Sequence, residues 1–242
     1  MREKKVMTIQ DISCVGQCSL TVALPIISAC GIETAILPSA VLSTHTGFQG
    51  FTFHDLSDDI QAIANHWKNE KICFDAIYSG YLGSVRQVDD VIALMNTLLT
   101  ENGEKIVDPA MADNGKLYTG FDQVFVQAMK RLCGQADVIL PNITEAALLT
   151  DSEYCMDNHS SEYIEHLLRK LGELGAKTVI LKGVMDRAGQ IGVIVYDVAS
   201  KEKLSYYTKK IEKSSHGTGD CFASVFTGAL MRGFDYFSAA KL

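Results

Sequence analysis

Short apolar runs alternate along this chain with longer stretches of helical spacing, and turn residues separate the two. Residues 6–10, 33–37, 76–79, 105–108, 137–140 and 178–182 are apolar at most positions, as expected of strands buried on both faces. Helix candidates fill the gaps between them. Ser19 is placed to cap a helix running through Ala29, with Gly31 as its stop. Residues 57–69 gather Ile60, Ile63, Ala64 and Trp67 on one face. Residues 84–100, 121–133, 145–149 and 161–175 also read as helices, whereas 11–18 and 41–50 read as polar, glycine-bearing loops. Residues 190–197 and 204–208 suit a pair of antiparallel strands. The alternation predicts an α/β fold in three layers, α/β/α, with a mostly parallel central sheet and a small antiparallel extension. No repeat, low-complexity segment or linker interrupts it, so residues 1–242 are expected to form a single domain. The end of the chain, 238–242, reads as the interior of an uncapped helix, and the C-terminal end is therefore expected to be incomplete.

Composition narrows the class without naming it. With 47% apolar and 21% charged residues, the 242-residue chain is ordinary for a globular protein with a full core. Its formal net charge of −7 argues against nucleic acid or an anionic membrane as the main partner. No apolar run reaches membrane-spanning length, and the polar lead at residues 1–5 runs straight into the first strand. The seven cysteines show no Cys-x-x-Cys pair and no zinc spacing, which suits reduced thiols and a cytoplasmic protein.

Candidate chemistry lies in the loops that follow predicted strands, the edge where open parallel sheets bind ligands. Ser215-His216-Gly217-Thr218-Gly219-Asp220-Cys221 runs into an apolar, small-residue helix ending near Met231. Glycines allow a tight turn, and the first amides of a helix have no internal partner, so they can receive phosphate or a developing oxyanion. Asp220, on the first turn, is placed to take a proton from a hydroxyl arriving there. Taken alone, the motif equally suits a plain glycine turn with Asp220 as a first-turn residue. Asn142 and Glu145, three apart at a helix start, form either a capping box or a pair of metal-side oxygens, and both roles are compatible. Asp108 and Asp113 flank a proline turn.

Six segments occur together in a familiar order: 11–21 (Asp-Ile-Ser-Cys-Val-Gly-Gln-Cys-Ser-Leu-Thr), 42–48 (Leu-Ser-Thr-His-Thr-Gly-Phe), Ser79-Gly-Tyr81, Asp108-Pro109, 141–145 (Pro-Asn-Ile-Thr-Glu) and Gly217-Thr-Gly-Asp220. Over residues 6–234 the chain resembles the ribokinase-like superfamily and, within it, the pyridoxal and pyridoxamine kinases of vitamin B6 salvage. The resemblance implies a ribokinase-like fold and ATP-dependent phosphorylation of the 5′-hydroxymethyl group of a B6 vitamer. It implies that Gly217, Thr218 and Gly219 form the anion hole and that Asp220 is the catalytic base. Thr46, Tyr81, Asp11 and His216 would face the pyridine ring, with His45 structural and Cys221 a buried small residue. At Asp11 better-known relatives carry serine, and a carboxylate there suits a ring nitrogen or an aminomethyl group. Asp108, Asn142 and Glu145 would stand around Mg²⁺, largely through water, and Asp108, Asp113, Asn142, Lys182 and Gly183 beside ATP. A monovalent cation such as K⁺ near Asp113 and a homodimeric assembly are further family expectations. Lys182-Gly183 and His216 lie closer to hydroxymethylpyrimidine kinases of thiamine salvage, which keeps that substrate as the rival. A non-catalytic binder of B6 vitamers is the alternative from another class.

Overall fold

The computed structural model describes residues 3–185, 189–211 and 215–242. In chain order the elements are β1 (Lys5–Ser13), α1 (Leu20–Ala29), β2 (Glu33–Leu42), β3 (Phe53–Asp55), α2 (Ser57–Asn69), β4 (Phe74–Ser79), α3 (Val85–Thr97) and β5 (Leu99–Val107). Then come β6 (Ala112–Asp113), β7 (Lys116–Leu117), α4 (Gln123–Cys133), β8 (Val138–Ile139), α5 (Ile143–Leu149) and α6 (Ser161–Gly172). The chain closes with β9 (Thr178–Val184), β10 (Gln190–Asp197), β11 (Lys203–Lys209), α7 (Thr218–Met231) and α8 (Tyr236–Lys241).

These elements divide into two compact units. The first comprises residues 1–106 with 215–240 and Leu242, the second residues 107–214 with Lys241. In the first unit the strand order is β5-β4-β1-β2-β3. β1 pairs parallel with β2 and with β4, and β3 lies antiparallel on β2. β4 is buried at every position, so its run of Phe74, Ala76, Ile77 and Tyr78 needs no alternation. Each such Phe or Ile side chain contributes about 1.5–3 kcal/mol on burial. In the second unit β8 and β9 are parallel, and β9, β10 and β11 continue as an antiparallel meander.

Helix starts follow capping chemistry. Asp122 accepts the N–H groups of Val124 and Phe125 to open α4, and Ser84 and Ser160 accept from Gln87 and Tyr163 to open α3 and α6. α8 opens on a cap too: the Asp235 carboxylate accepts the Ser238 N–H at 2.9 Å, and the helix runs to Lys241.

Several expected boundaries move. Asp11–Ser13, read as loop, belong to β1. The helix expected over 84–100 ends at Thr97, where the Thr97 hydroxyl donates to the Ala93 carbonyl at 2.8 Å, and β5 begins at Leu99. The helix expected through Gly175 stops at Gly172, and the strand 33–37 runs on to Leu42. Edge strand β3 and the β6–β7 hairpin were not foreseen.

Candidate active site

In the first unit the parallel strands β1, β2 and β4 release their following segments on one edge, and the candidate acceptor residues lie there. α7 begins at Gly217, whose φ of +77° lies in the left-handed region. A Cβ at this position would overlap the Gln17 carbonyl oxygen, so glycine is required by close approach as well as by conformation. Asp220 occupies the first turn of α7, and its Oδ2 accepts the Ser19 N–H at 3.0 Å. That bond fixes the carboxylate. Ser19 itself holds φ +51° and makes no side-chain cap for α1, contrary to the sequence reading. A non-glycine residue at positive φ is backbone strain held beside the candidate base. The first amides of α7 point where the helix dipole favours an anion.

The expected ring-facing residues belong to the same unit. Asp11 is buried, and its Oδ2 accepts the Ser13 hydroxyl at 2.8 Å. Burial pushes the Asp11 carboxyl up, against hydrogen bonding from Ser19 and Ser13. Tyr81 is half-buried after β4, and burial, helped by the Asp11 charge, takes its phenol up to about 12. Thr46 is half-buried in the turn after β2. His45 packs between Gly16 and Gly47, and its Nδ1 accepts the Gly47 N–H at 3.2 Å. His216 is exposed and tilts against the His45 ring with centroids 4.4 Å apart, while Phe48 meets that ring edge-on with centroids 4.8 Å apart. Burial and the neighbouring His216 hold His45 below the usual imidazole range. Cys221 is exposed, which corrects the expectation of a buried residue: it lies on the outer side of the first turn of α7.

The second unit carries a separate cluster. Val107 and Leu140 are joined by a backbone hydrogen bond of 2.9 Å, and Asn142 bridges to Lys182, so the segments after β5 and β8 meet the end of β9. The Lys182 ammonium donates to both oxygens of Asp108, at 2.9 and 2.8 Å, and both side chains are largely buried. Asn142 and Glu145 complete a capping box: Asn142 Oδ1 accepts the Glu145 N–H and Glu145 Oε2 accepts the Asn142 N–H, each at 2.8 Å. Glu145 Oε1 also accepts the Met111 N–H at 3.3 Å. Burial first, and the Asp108 charge second, push the Glu145 carboxyl up to about 8. Burial likewise raises Asp108, with Lys182 opposing it. Asp113 is exposed on the β6–β7 hairpin, where its Oδ1 accepts the Asn114 N–H at 2.9 Å, next to Ala112, whose carbonyl accepts the Asn142 side-chain amide at 2.9 Å. Gly183 takes φ +75° next to Lys182. Among the described residues no group of three or more His, Cys, Asp and Glu side chains makes a ready metal cage.

The Glu145 environment has a measurable sign. An acid whose folded value lies above its unfolded one costs nothing while both states are protonated. Stability then falls as pH rises from the ordinary carboxylate range near 4.5 to about 8. Chemical denaturation of the ligand-free protein should show that decline, and Glu145→Gln should flatten it; an unaltered slope in the variant would remove Glu145 as its source.

Sequence reading missed the groups that hold the named residues. The Ser19 and Met111 amides, the Gln17 carbonyl and the Ser13 hydroxyl carry no motif signal, since three of the four are backbone.

Comparison with known proteins follows the same geometry. A Bacteroides thetaiotaomicron protein assigned as a candidate phosphomethylpyrimidine kinase, crystallised in an orthorhombic form with pyridoxal, is 38% identical. It superposes with a TM-score of 0.93 over 99% of this chain and 84% of its own. Pyridoxal kinase from Lactobacillus plantarum is 36% identical, with a TM-score of 0.88 over 98% of this chain and 84% of that one. A pyridoxal kinase of Actinobacillus succinogenes is 28% identical over 84% of this chain and 72% of its own length. The expected fold, a mostly parallel sheet with an antiparallel strand pair and helices on both sides, is the one these structures share. The phosphomethylpyrimidine kinase family model matches residues 29–242, from the last residue of α1 to the end of the chain, and the chain belongs to that family.

Proposed function

We propose that this chain is an ATP-dependent kinase that phosphorylates the 5′-hydroxymethyl group of a B6 vitamer in vitamin B6 salvage. The observation that carries the reading is Asp220, held by the Ser19 amide on the first turn of α7 beside the left-handed Gly217. The likeness to pyridoxal kinases at 36% and 28% identity supports the substrate class. In this reading Asp220 takes the hydroxyl proton, and the amides from Gly217 through Gly219 receive the charge on the transferred phosphoryl group. Tyr81, Thr46, Asp11 and His216 hold the ring. Positioning and preset dipoles do most of the work.

Asp108 and Glu145 are two buried carboxylates beside one ammonium, Lys182, and burial first, with the Asp108 charge second, raises the Glu145 carboxyl. Such an oxygen set fits Mg²⁺ held largely through water and nucleotide phosphates, with Asp108, Asn142 and Glu145 as its holders. Bound there with ATP, the ion would neutralise charge on the phosphates. Lys182, Gly183 and Asp113 would contact the nucleotide, and K⁺ beside Asp113 belongs to the same proposal. So do a single kinase domain over residues 1–242, a homodimer and a cytoplasmic location. Among the described residues no helix is long and apolar enough to cross a membrane.

The family match favours a second reading, phosphorylation of a hydroxymethylpyrimidine. ADP release should be measured with Mg-ATP and pyridoxal, pyridoxamine, pyridoxine or hydroxymethylpyrimidine. Turnover of a vitamer is the expected result. Turnover of the pyrimidine alone selects the second reading, and ring binding without ADP makes the chain a binding protein.

A further inference from the structure

Gln87 is buried on the first turn of α3, and its side-chain amide ties together separate stretches of the first unit. Its Oε1 accepts the Gly83 N–H at 2.7 Å. Its Nε2 donates to the Ser39 carbonyl and the Ser57 hydroxyl, each at 2.9 Å, and to Asp55 Oδ1 at 3.0 Å. A backbone N–H on one side and a backbone carbonyl on the other leave the amide a single orientation. Ser84-Val-Arg-Gln87 has the spacing of a capping box, in which the fourth residue reaches back to the amide of the first. Ser84 Oγ does accept the Gln87 N–H, at 3.3 Å. The Gln87 side chain, however, passes the cap and takes the amide of the residue before it. It joins segments and does not close its own helix.

Those segments carry the two sides of the candidate acceptor site. Gly83 ends the 80–83 stretch after β4, which holds Tyr81. Ser39 adds a second tie there, its hydroxyl donating to the Tyr81 carbonyl at 3.4 Å. Ser39 and Asp55 lie at the base of the β2–β3 hairpin, which pairs Ala40 with Asp55 and Leu42 with Phe53 and holds Thr46 in its turn. The Phe53 ring rests on Gly83, where a Cβ would come within 3.0 Å of Phe53 Cζ. Hairpin and Tyr81 segment therefore meet at one buried amide. A polar network of this kind, with its members partnered, fixes a single geometry.

We infer that Gln87 is a positioning residue for the acceptor: it sets the spacing between the Thr46 hairpin and the Tyr81 segment, and through that spacing the affinity for the acceptor ring. The inference rests on the B6-kinase reading above. Gln87→Met keeps the length of the side chain and removes both halves of the amide. It should raise KM and the dissociation constant for pyridoxal about fivefold or more, the scale of one lost hydrogen bond. KM for ATP should stay within about twofold. A merely structural role lowers the folded fraction, and with it kcat, at unchanged pyridoxal KM; that result overturns the inference, as does a rise shared with ATP. Gln87→Glu guards against a Met variant that fails to fold. It still accepts the Gly83 N–H but sets a second carboxylate against Asp55, so pyridoxal KM should rise again. Asp55→Asn in that background supplies an amide donor to the new carboxylate and should lower KM; no recovery overturns the inference. If wild type releases no ADP with any vitamer, the kinase reading fails separately. Amide hydrogen exchange of the ligand-free variants then decides Gln87. Faster exchange in both the 43–55 and 79–84 peptides, with β1 unchanged, supports the coupling, and any other pattern overturns it.

Discussion

Replacing Asp220 with asparagine is expected to lower kcat for the vitamer by about 10²–10⁴-fold, the usual weight of a positioned general base. The acceptor KM should hardly move. The amide oxygen of asparagine can still accept the Ser19 N–H, now made by Asp220 Oδ2 at 3.0 Å, so the turn keeps its shape and only the proton acceptor is lost. A fall in kcat with unchanged KM assigns the group to the transition state. A rise in KM with kcat preserved would instead make Asp220 a ring-binding residue, and the base would have to be sought elsewhere.

The second large effect is on stability. Lys182→Met keeps the aliphatic stem but leaves Asp108 and Glu145 buried without their ammonium. Removing one partner of a buried pair costs about 3–5 kcal/mol, which in a chain of this size lowers Tm on the order of 10 °C. Asp108→Asn in the same background should restore much of the loss, because the orphaned charge goes with it. If the single variant melts within a degree or two of wild type, the pair is solvated and the buried-charge account of this cluster fails. Calorimetry of the single and double variants measures both outcomes.

The sequence carried the alternation well where burial is one-sided. Helix α2 occupies the expected residues because Ile60 and Ala64 form a buried stripe on an otherwise polar segment. β5 is longer than the expected strand 105–108, beginning at Leu99 inside the expected helix 84–100. In the fold, Gly103 is a strand residue whose absent side chain leaves room for Leu99 and the Phe74 carbonyl. The β6–β7 hairpin was legible and overlooked: Asn114-Gly115, at φ +51° and +76°, is a strong tight-turn pair. At the candidate site, Asp220 on the first turn of α7 and the Asn142–Glu145 box sit where their spacing put them. The Lys182–Asp108 contact, spanning 74 positions, had no local signal. The Ser19–Asp220 bond, spanning 201, had none either, because an amide donor has no sequence identity.

That last separation has a kinetic consequence. The first unit takes its strands from residues 1–106 and helix α7 from 215–240, so 108 intervening residues must be made before its two parts can meet. Contacts of such range form late because loop closure precedes their reward. On a ribosome or in a refolding mixture, the sheet can gather while α7 is still absent, leaving the α1 surface that α7 covers exposed to other chains in the interim. Recovery of the native fold near Asp220 should therefore be the closing event of folding, later than the packing of Trp67 on α2 against Phe74.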